Sequence, residues 1–170
     1  MDKEKGMSEF LKKAYEQGRV KPLKDAFLEF PPEEEWHKGR VDYFIKDGKA
    51  QYNSIYNIGD IVFVREYYYI DGTLGTNHLF VIIDKNNSAV PIENFGMLIS
   101  SNLKKIKYES NKLIKKDNKN NLDTDSIVKT DYVYTILDQD ILFKIGMVDS
   151  EKIEDYKNSF DVACNNRNKE

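Results

Sequence analysis

The chain has 170 residues, of which 40% are apolar, and its formal net charge is -3. This length fits one domain, or a domain of roughly 100–120 residues with an extension, and the apolar content suffices for a hydrophobic core. The sequence has no run of about 18 uncharged apolar residues, which excludes a membrane span, and its charged beginning lacks the apolar stretch of a secretory signal.

Cysteine and histidine are scarce, which limits the covalent and metal chemistry to expect. The single cysteine, Cys164, cannot form an internal disulfide, and this fits a reducing cytoplasm. The two histidines and the cysteine lie too far apart in sequence for a recognisable zinc site. We therefore expect a cytoplasmic protein that uses no metal and no cofactor.

The first 50 residues are predicted to form an N-terminal extension that is largely helical. Ser8 can cap a short helix that ends at Gly18, and a second helical patch is expected at 24–30. Within 25–47, seven acidic residues stand against three basic ones. The same segment carries three large aromatic side chains, those of Phe27, Phe30 and Trp36.

From residue 51 the pattern changes to short strands separated by turns. A strand at 60–66 leads through a glycine-bearing loop into an apolar strand at 78–84. Gly72 and Gly75 in that loop allow positive φ or a close approach of the backbone. The later predicted elements are strands at 96–101, 112–115 and 126–136 and a helix at 149–160.

These elements predict a mainly β (α+β) fold class. Short strands with tight turns and one late helix are typical of a small, strongly curved barrel rather than of a βαβ sheet. The barrel and its C-terminal helix are expected to occupy 51–160. Residues 161–170 are expected to form a polar tail after that helix.

His78 is the first candidate for chemistry because it stands where the glycine loop enters the apolar strand. An imidazole with an ordinary pKa of about 6.5 exchanges protons near neutral pH. The alternative is a loop histidine that is hydrogen-bonded to backbone. The segment 102–119, with seven lysines against two acids, is either an anion-binding site or a solvated hairpin.

The order of several short motifs between residues 55 and 160 resembles the MazF/PemK-like toxins of type II toxin–antitoxin systems. The matching motifs are Gly59-Asp60-Ile61-Val62, the loop glycines Gly72 and Gly75, Phe80-Val81-Ile82-Ile83, Leu98-Ile99-Ser100, Asp125-Ser126-Ile127-Val128 and Tyr134-Thr135-Ile136. The resemblance implies a CcdB-like barrel related to SH3 folds. It also implies a homodimer that cleaves single-stranded RNA (mRNA) without a metal and is opposed by a cognate antitoxin protein.

In this family an Arg-Pro pair opens the second strand and a Thr or Ser ends the third, and both act on the scissile phosphate. Ser100 matches the second position, whereas Asn77-His78 stands where Arg-Pro would be. The resemblance therefore assigns catalysis to His78, as general acid or base, and to Ser100. The other expected RNA contacts are tyrosines that stack on bases and polar or cationic side chains that hold phosphates. These residues are Arg65, Tyr67, Tyr69, Asn77, Ser101, Lys104, Lys105, Lys107 and Lys129.

Two alternatives to an endoribonuclease stay open. One is a non-catalytic member of the same fold that binds RNA or an antitoxin in a regulatory role, since the family arginine is missing. The other is an SH3-like protein-interaction domain. The role of 25–47 is open as well, because Phe27, Phe30 and Trp36 suit either an antitoxin-like, autoinhibitory segment or a structural extension packed on the barrel.

Overall fold

The structure, a computed structural model, describes residues 7–21, 42–46, 49–53, 55–69, 71–86 and 92–168. Phe27, Phe30 and Trp36 lie outside these described residues, and so does the helical patch predicted at 24–30. The autoinhibitory role of that segment therefore stays a prediction.

Ten strands and two helices are present in the described ranges. The strands are β1 Val20–Lys21, β2 Asp42–Lys46, β3 Lys49–Asn53, β4 Asp60–Tyr68, β5 Leu74–Asn86, β6 Glu93–Ser100, β7 Asn111–Ile114, β8 Ser126–Lys129, β9 Val133–Leu137 and β10 Ile141–Met147. The helices are α1 Glu9–Glu16 and α2 Ser150–Asn168, with 3-10 helices at Leu103–Lys107 and Asp138–Asp140.

Eight of the strands form one sheet in the order β1-β9-β6-β5-β4-β10, in which β8 also pairs with β6 and β7 pairs with β8. Seven strands are antiparallel to their neighbours, and β1 joins β9 in parallel. β2 and β3 form a separate hairpin. The predicted mainly β class with a C-terminal helix is confirmed. Across the described residues the ladder ends at β1 and β10, so the sheet is open and the closed SH3-like or CcdB-like barrel stays a prediction.

Both faces of this sheet are buried, because alternate residues of a strand point to opposite sides. On β5, Val81 and Ile83 belong to a first core, and Phe80 and Ile82 belong to a second core. This double burial explains why β5 reads as a continuous apolar run. α1 and α2 contribute to the first core, whereas the second core is rich in aromatic side chains, namely Tyr56, Tyr67, Phe80 and Tyr134.

The first helix forms where the sequence predicts it. Ser8 caps α1, since Ser8 Oγ accepts a hydrogen bond from the Leu11 N–H at 3.1 Å, and Gly18 follows the helix with φ of 65°. Leu11 is fully buried, and the Phe10 ring packs 5.0 Å from the Phe160 ring of α2. α1 is therefore part of the first core.

Several elements differ from the sequence-based prediction. β5 begins at Leu74, so Gly75 and His78 lie within the strand and the predicted glycine loop is shorter than expected. The N-terminal extension was predicted to be largely helical, but its described part also contains β1 and β2. The strand predicted at 126–136 is two strands, β8 and β9, separated by residues 130–132. Both strands pair with β6, which explains why their sequence has one continuous strand pattern. α2 continues to Asn168 instead of ending near Phe160, because Cys164 is buried one turn later and extends the apolar face.

Candidate active site around His78

The β4–β5 ladder positions Tyr67 and His78. Val64 lies opposite His78, and Tyr67 lies opposite Gly75. Strict alternation would point Val64 and Tyr67 to opposite faces, because they are an odd number of residues apart. Both side chains nevertheless belong to the second core.

The alternation is interrupted on both strands at the same level. Arg65 and Glu66 are consecutive exposed residues on β4, and Thr76 and Asn77 are consecutive exposed residues on β5. Asn77 has φ of 55°, in the left-handed region that asparagine enters more readily than most residues. The two exposed pairs thus turn Tyr67 back onto the face of the second core.

Tyr67 holds the imidazole of His78 through its hydroxyl group. Tyr67 Oη lies 2.9 Å from His78 Nδ1 and 3.0 Å from Tyr69 Oη. The Tyr67 ring is 3% exposed and meets the His78 ring edge to face at 5.8 Å. Burial raises the pKa of Tyr67 and the hydrogen bond with Tyr69 raises it further, so the hydroxyl stays protonated. This contact occupies Nδ1, and the imidazole also forms a hydrogen bond with the Thr76 backbone.

Gly75 makes this position of Tyr67 possible. A Cβ atom at Gly75 would lie 2.3 Å from Tyr67 Cζ and 2.7 Å from Tyr67 Oη. Such distances are far inside van der Waals contact, so no other residue fits here without a shift of the tyrosine. Gly75, which lies on β5, therefore admits the close approach of the side chain that anchors His78.

Gly75→Ala is expected to displace Tyr67 and to lower the free energy of unfolding by about 1–3 kcal/mol, the usual cost of overpacking. RNA cleavage should fall with it, because the imidazole loses its anchor. Urea unfolding and RNA cleavage measure the two effects. Leu74→Ala serves as the matched control, since Leu74 precedes Gly75 on β5 and is 51% exposed. Normal cleavage by a folded Gly75→Ala protein would contradict the role given to Tyr67.

Ser100 lies at the same end of the β5–β6 ladder as His78. The last pair of β5 with β6 is Leu79 with Ile99, and His78 and Ser100 are the residues that follow this pair on the two strands. Ser100 Oγ accepts a hydrogen bond from the Asn102 N–H at 3.2 Å, which leaves the hydroxyl hydrogen to be donated. The two residues predicted to be catalytic therefore lie one step beyond the same end of the β5–β6 ladder.

Two lysines add positive charge beside His78. Burial lowers the pKa of Lys129, and the nearby charge of Lys105 lowers it further. Burial likewise lowers the pKa of His78, Lys129 lowers it further, and a backbone hydrogen bond with Thr76 opposes both effects. His78 is therefore neutral at pH 7. An anion bound at this point would relieve the repulsion between the two lysines.

Several of the predicted RNA contacts lie at the rim of this site. Tyr69 is 36% exposed, so its ring can stack on a base. Ser101 is exposed next to Ser100. Lys104 and Lys107 are exposed on the same 3-10 helix that carries Lys105. The lysine-rich segment thus begins beside the candidate site.

Two other predicted contacts have different surroundings from those expected. Tyr67 was expected to stack on a base, but its burial leaves no free ring face, and it anchors His78 instead. Arg65 was expected to supply charge to the phosphate, but its guanidinium pairs with the Asp140 carboxylate at 3.6 Å. Lys129 is therefore the better placed of the two proposed sources of charge, since it acts on His78 directly.

Tyr134 belongs to the site, and sequence reasoning did not select it. It is 9% exposed, and its ring meets those of Tyr67 at 5.8 Å and Phe80 at 5.3 Å, edge to face. Burial raises the pKa of Tyr134, and the charge of Asp131 raises it further. The sequence predicts a strand at Tyr134, but the strand that pairs with β9 is decided by distant residues.

Among the described residues, no group of three or more His, Cys, Asp or Glu side chains could hold a metal ion. Within the same ranges, no helix is long and apolar enough to cross a membrane. A scan against protein-family models and a search of the curated proteins both find no match for this sequence.

Proposed function

We propose that this protein is a metal-independent endoribonuclease that cleaves single-stranded RNA, with His78 as the general base. The observation that carries the proposal is the hydrogen bond between Tyr67 Oη and His78 Nδ1 at 2.9 Å. A fixed, neutral imidazole beside cations and a hydroxyl group is suited to proton transfer at a phosphodiester. The position of His78 and Ser100 at the same end of the β5–β6 ladder also supports the MazF/PemK-like resemblance, which places its catalytic pair on the second and third strands.

The tautomer of His78 decides which nitrogen acts. In the proposed site, His78 donates its Nδ1–H to Tyr67 Oη, and Tyr67 donates its O–H to Tyr69 Oη. Nε2 then has a lone pair and accepts the proton of a ribose 2′-hydroxyl. The 2′-oxygen forms a bond to the adjacent phosphorus while the bond to the 5′-oxygen breaks. The fragments end in a 2′,3′-cyclic phosphate and a 5′-hydroxyl.

The negative charge that develops during this reaction is stabilised by Lys129, Lys105 and Ser100. The lysines offset the negative charge that develops on the phosphoryl oxygens, and the Ser100 hydroxyl donates to one of them. The lowered pKa of Lys129 makes its ammonium a stronger acid than an ordinary lysine, so we assign to it the protonation of the leaving 5′-oxygen. Solvent then reprotonates Lys129 and takes up the proton held by His78.

The chemical ends of the RNA fragments test this proposal. Incubation of the purified protein with single-stranded RNA should give 5′-hydroxyl and 2′,3′-cyclic phosphate ends, and cleavage should continue in EDTA because no step assigns work to a metal. Mass spectrometry of the fragments identifies the ends. Fragments with 5′-phosphate ends, or activity lost in EDTA and restored by a divalent ion, would contradict the proposed mechanism.

Salt dependence tests the role of the lysines. For single strands, the logarithm of the binding constant falls against the logarithm of salt concentration by about 0.7 for each phosphate neutralised. Lys105→Ala and Lys129→Ala should each reduce this slope by about 0.7. Lys116→Ala is the matched control, because Lys116 is exposed on the chain away from the 3-10 helix. Slopes that change equally in all three variants would contradict a specific phosphate contact.

A non-catalytic, RNA-binding function is the second candidate. The observation that favours it is the pairing of Arg65 with Asp140, since Arg65 then does not replace the arginine that the resemblance expects. A gel shift of RNA without cleavage would support this candidate over the first.

The biological part of the proposal follows from the resemblance. RNA cleavage would inhibit growth, a cognate antitoxin would oppose it, and the toxin domain at 51–160 would be a homodimer with an SH3-like or CcdB-like barrel. Its support is the order of the strands that carry the matching motifs, together with the mainly antiparallel sheet on which they lie.

A further inference from the structure

A groove lies between the edge strand β7 and the last helix, α2. β7 pairs with β8 alone, so its second edge has no strand partner among the described residues. The groove has a volume of about 380 Å³, and ligand sites usually have roughly 300–1,000 Å³. The residues that line this β7–α2 groove include Lys112, Leu113, Lys152, Asp155, Ser159 and Val162.

The groove runs along the open edge of β7. Consecutive residues of a strand point to opposite faces, so a cavity that touches both Lys112 and Leu113 lies beside the edge rather than over one face. On the other wall, Lys152, Asp155, Ser159 and Val162 are spaced three or four residues apart or multiples of this, which places them on one side of α2. A sheet edge and a helix therefore face each other across the groove.

The backbone of Leu113 is free to form hydrogen bonds in this groove. In an antiparallel ladder, residues whose N–H and C=O bond to the partner strand alternate with residues whose groups point away from it. Thr130 donates its N–H to the Ser110 carbonyl at 2.9 Å, so Ser110 and Lys112 are bonded towards β8. Leu113, the next residue, directs its N–H and C=O outward, and neither group has a partner among the described residues.

The two walls are held at a fixed spacing by a chain of hydrogen bonds. Thr130 donates its hydroxyl hydrogen to the carbonyl of Ser110, just before β7, at 2.6 Å. Ser159 of α2 therefore donates to Thr130 Oγ1, at 2.7 Å. Ser159 is 7% exposed, so this link is shielded from water. A preformed groove lowers the entropic cost of binding a ligand.

Both walls carry positive charge and apolar surface. Lys112 stands on β7 and Lys152 on α2, against the single carboxylate of Asp155. Leu113 is 46% exposed and Val162 is 44% exposed, one on each wall. A carboxylate and an apolar side chain complement these surfaces. In an extended segment, residues two positions apart point to the same side, so one segment can present both groups to the groove.

We propose that the β7–α2 groove binds an extended segment of a partner protein, which adds a strand to β7 and directs an apolar and an acidic side chain, two residues apart, into the groove. Addition of a peptide strand to an exposed sheet edge is a recurring mode of recognition, in which main-chain hydrogen bonds supply affinity and side-chain pockets supply specificity. The inference goes beyond the proposed RNA cleavage and does not depend on it, because no residue of the groove takes part in that reaction.

Selection of peptides by the intact protein tests the proposal. The probe is a phage library of random heptapeptides, and the enriched peptides are synthesised with a fluorophore and titrated by anisotropy. They should carry an apolar and an acidic residue two positions apart. A selection that enriches no peptide, or that enriches peptides without this pattern, would overturn the proposal.

Leu113→Pro tests the main-chain pairing. Proline removes the outward N–H and is tolerated on a strand edge where that group is not bonded within the sheet, so the variant should fold. Its affinity for the enriched peptides should fall about tenfold below that of Leu113→Ala, the matched control, which lacks the same side chain and keeps the N–H. Equal affinities of the two variants would overturn strand addition. Unfolding of Leu113→Pro in a thermal scan would overturn the open edge.

Charge reversal tests the contact with the acidic side chain. Selection on Lys152→Glu should replace the acidic residue of the enriched peptides by a basic one, whereas Lys104→Glu, an exposed lysine outside the groove, should keep the acidic residue. An acidic preference that survives Lys152→Glu would overturn the assigned contact.

Two further measurements identify other occupants of the groove. A dimer that sediments as such in the natural protein and dissociates in Leu113→Pro would assign the groove to a second copy of this chain. A synthetic peptide with the sequence of residues 25–41 that displaces the enriched peptides would assign the groove to this chain itself. Either result would overturn a partner protein as the occupant, and neither would affect the proposed ribonuclease activity.

Discussion

His78→Ala is expected to lower the rate of RNA cleavage by about 10²–10⁴-fold, the usual contribution of a general acid or base. The loss follows from the arrangement around the imidazole, in which the Tyr67 hydroxyl group fixes Nδ1. Single-turnover cleavage measures it, with thermal unfolding as the check on folding. Leu74→Ala is the control on the same strand, since Leu74 is 51% exposed and should tolerate truncation. Near-normal cleavage by a folded His78→Ala protein would remove the residue from the mechanism.

The effect of His78 on catalysis can be separated from its effect on stability by measuring how cleavage and unfolding each depend on pH. Burial and Lys129 lower the pKa of His78 below the ordinary 6.5, so the base stays neutral, and cleavage persists, to pH values under 6.5. The unfolded chain binds this proton more readily than the folded one, so the free energy of unfolding falls as the pH drops below about 6.5. His78→Ala should remove this contribution to acid destabilisation. An unchanged pH dependence of unfolding in the variant would contradict the lowered pKa.

Leu11→Ala is expected to lower the free energy of unfolding by about 2–5 kcal/mol, the range for a fully buried leucine truncated to alanine. Leu11 is 0% exposed and packs in the first core with Phe160 of α2. Lys12→Ala is the matched control, because the Lys12 side chain is 43% exposed and forms only a surface ion pair with Glu9. Urea unfolding compares the two variants. Similar stabilities for both would show that α1 is dispensable for the core.

The same argument bears on the open question of the N-terminal residues. A chain shortened to begin near Gln51 would lose Leu11 and Val20 from the first core and the pairing of β1 with β9. Such a chain is expected to unfold for a structural reason that has nothing to do with 25–47. The antitoxin-like role of that segment is therefore better tested in the full chain, by substitution of Phe27, Phe30 or Trp36.

Local signals in the sequence predict much of this fold. A capping serine and a following glycine bound α1, and the short apolar or alternating runs predict β4, β7 and the apolar part of β5, although β5 begins four residues earlier than predicted. These features depend on neighbours within a few residues. They also place His78 at the start of a buried run and Ser100 at the end of a strand, which is why both candidates could be selected before the register was known.

The contacts that define the site depend on pairing between distant residues. Tyr67 reaches His78 only because the alternation of side chains between the two faces fails on β4 and β5 at the same level. A period-two pattern would place Tyr67 and His78 on opposite faces of the sheet. The sequence does not predict the break at 130–132 for a similar reason. β8 and β9 pair with the same strand, β6, and their residues together form one continuous β pattern. The sequence predicts a polar tail around Cys164, because a single apolar residue among polar neighbours does not reveal the buried face of a helix.

The packing of Phe10 on Phe160 has a consequence for the order in which the protein is made. All ten described strands lie between α1 and α2 in the sequence, so the first core is closed by the earliest and the latest of these elements. A growing chain, extended at about 5–20 residues per second, can pair local hairpins such as β4–β5 but has no α2 to cover them. β5 carries His78 on one face and supports α2 through the other. We therefore expect a chain that stops before α2 to leave the first core uncovered on the far face of the strand that carries His78.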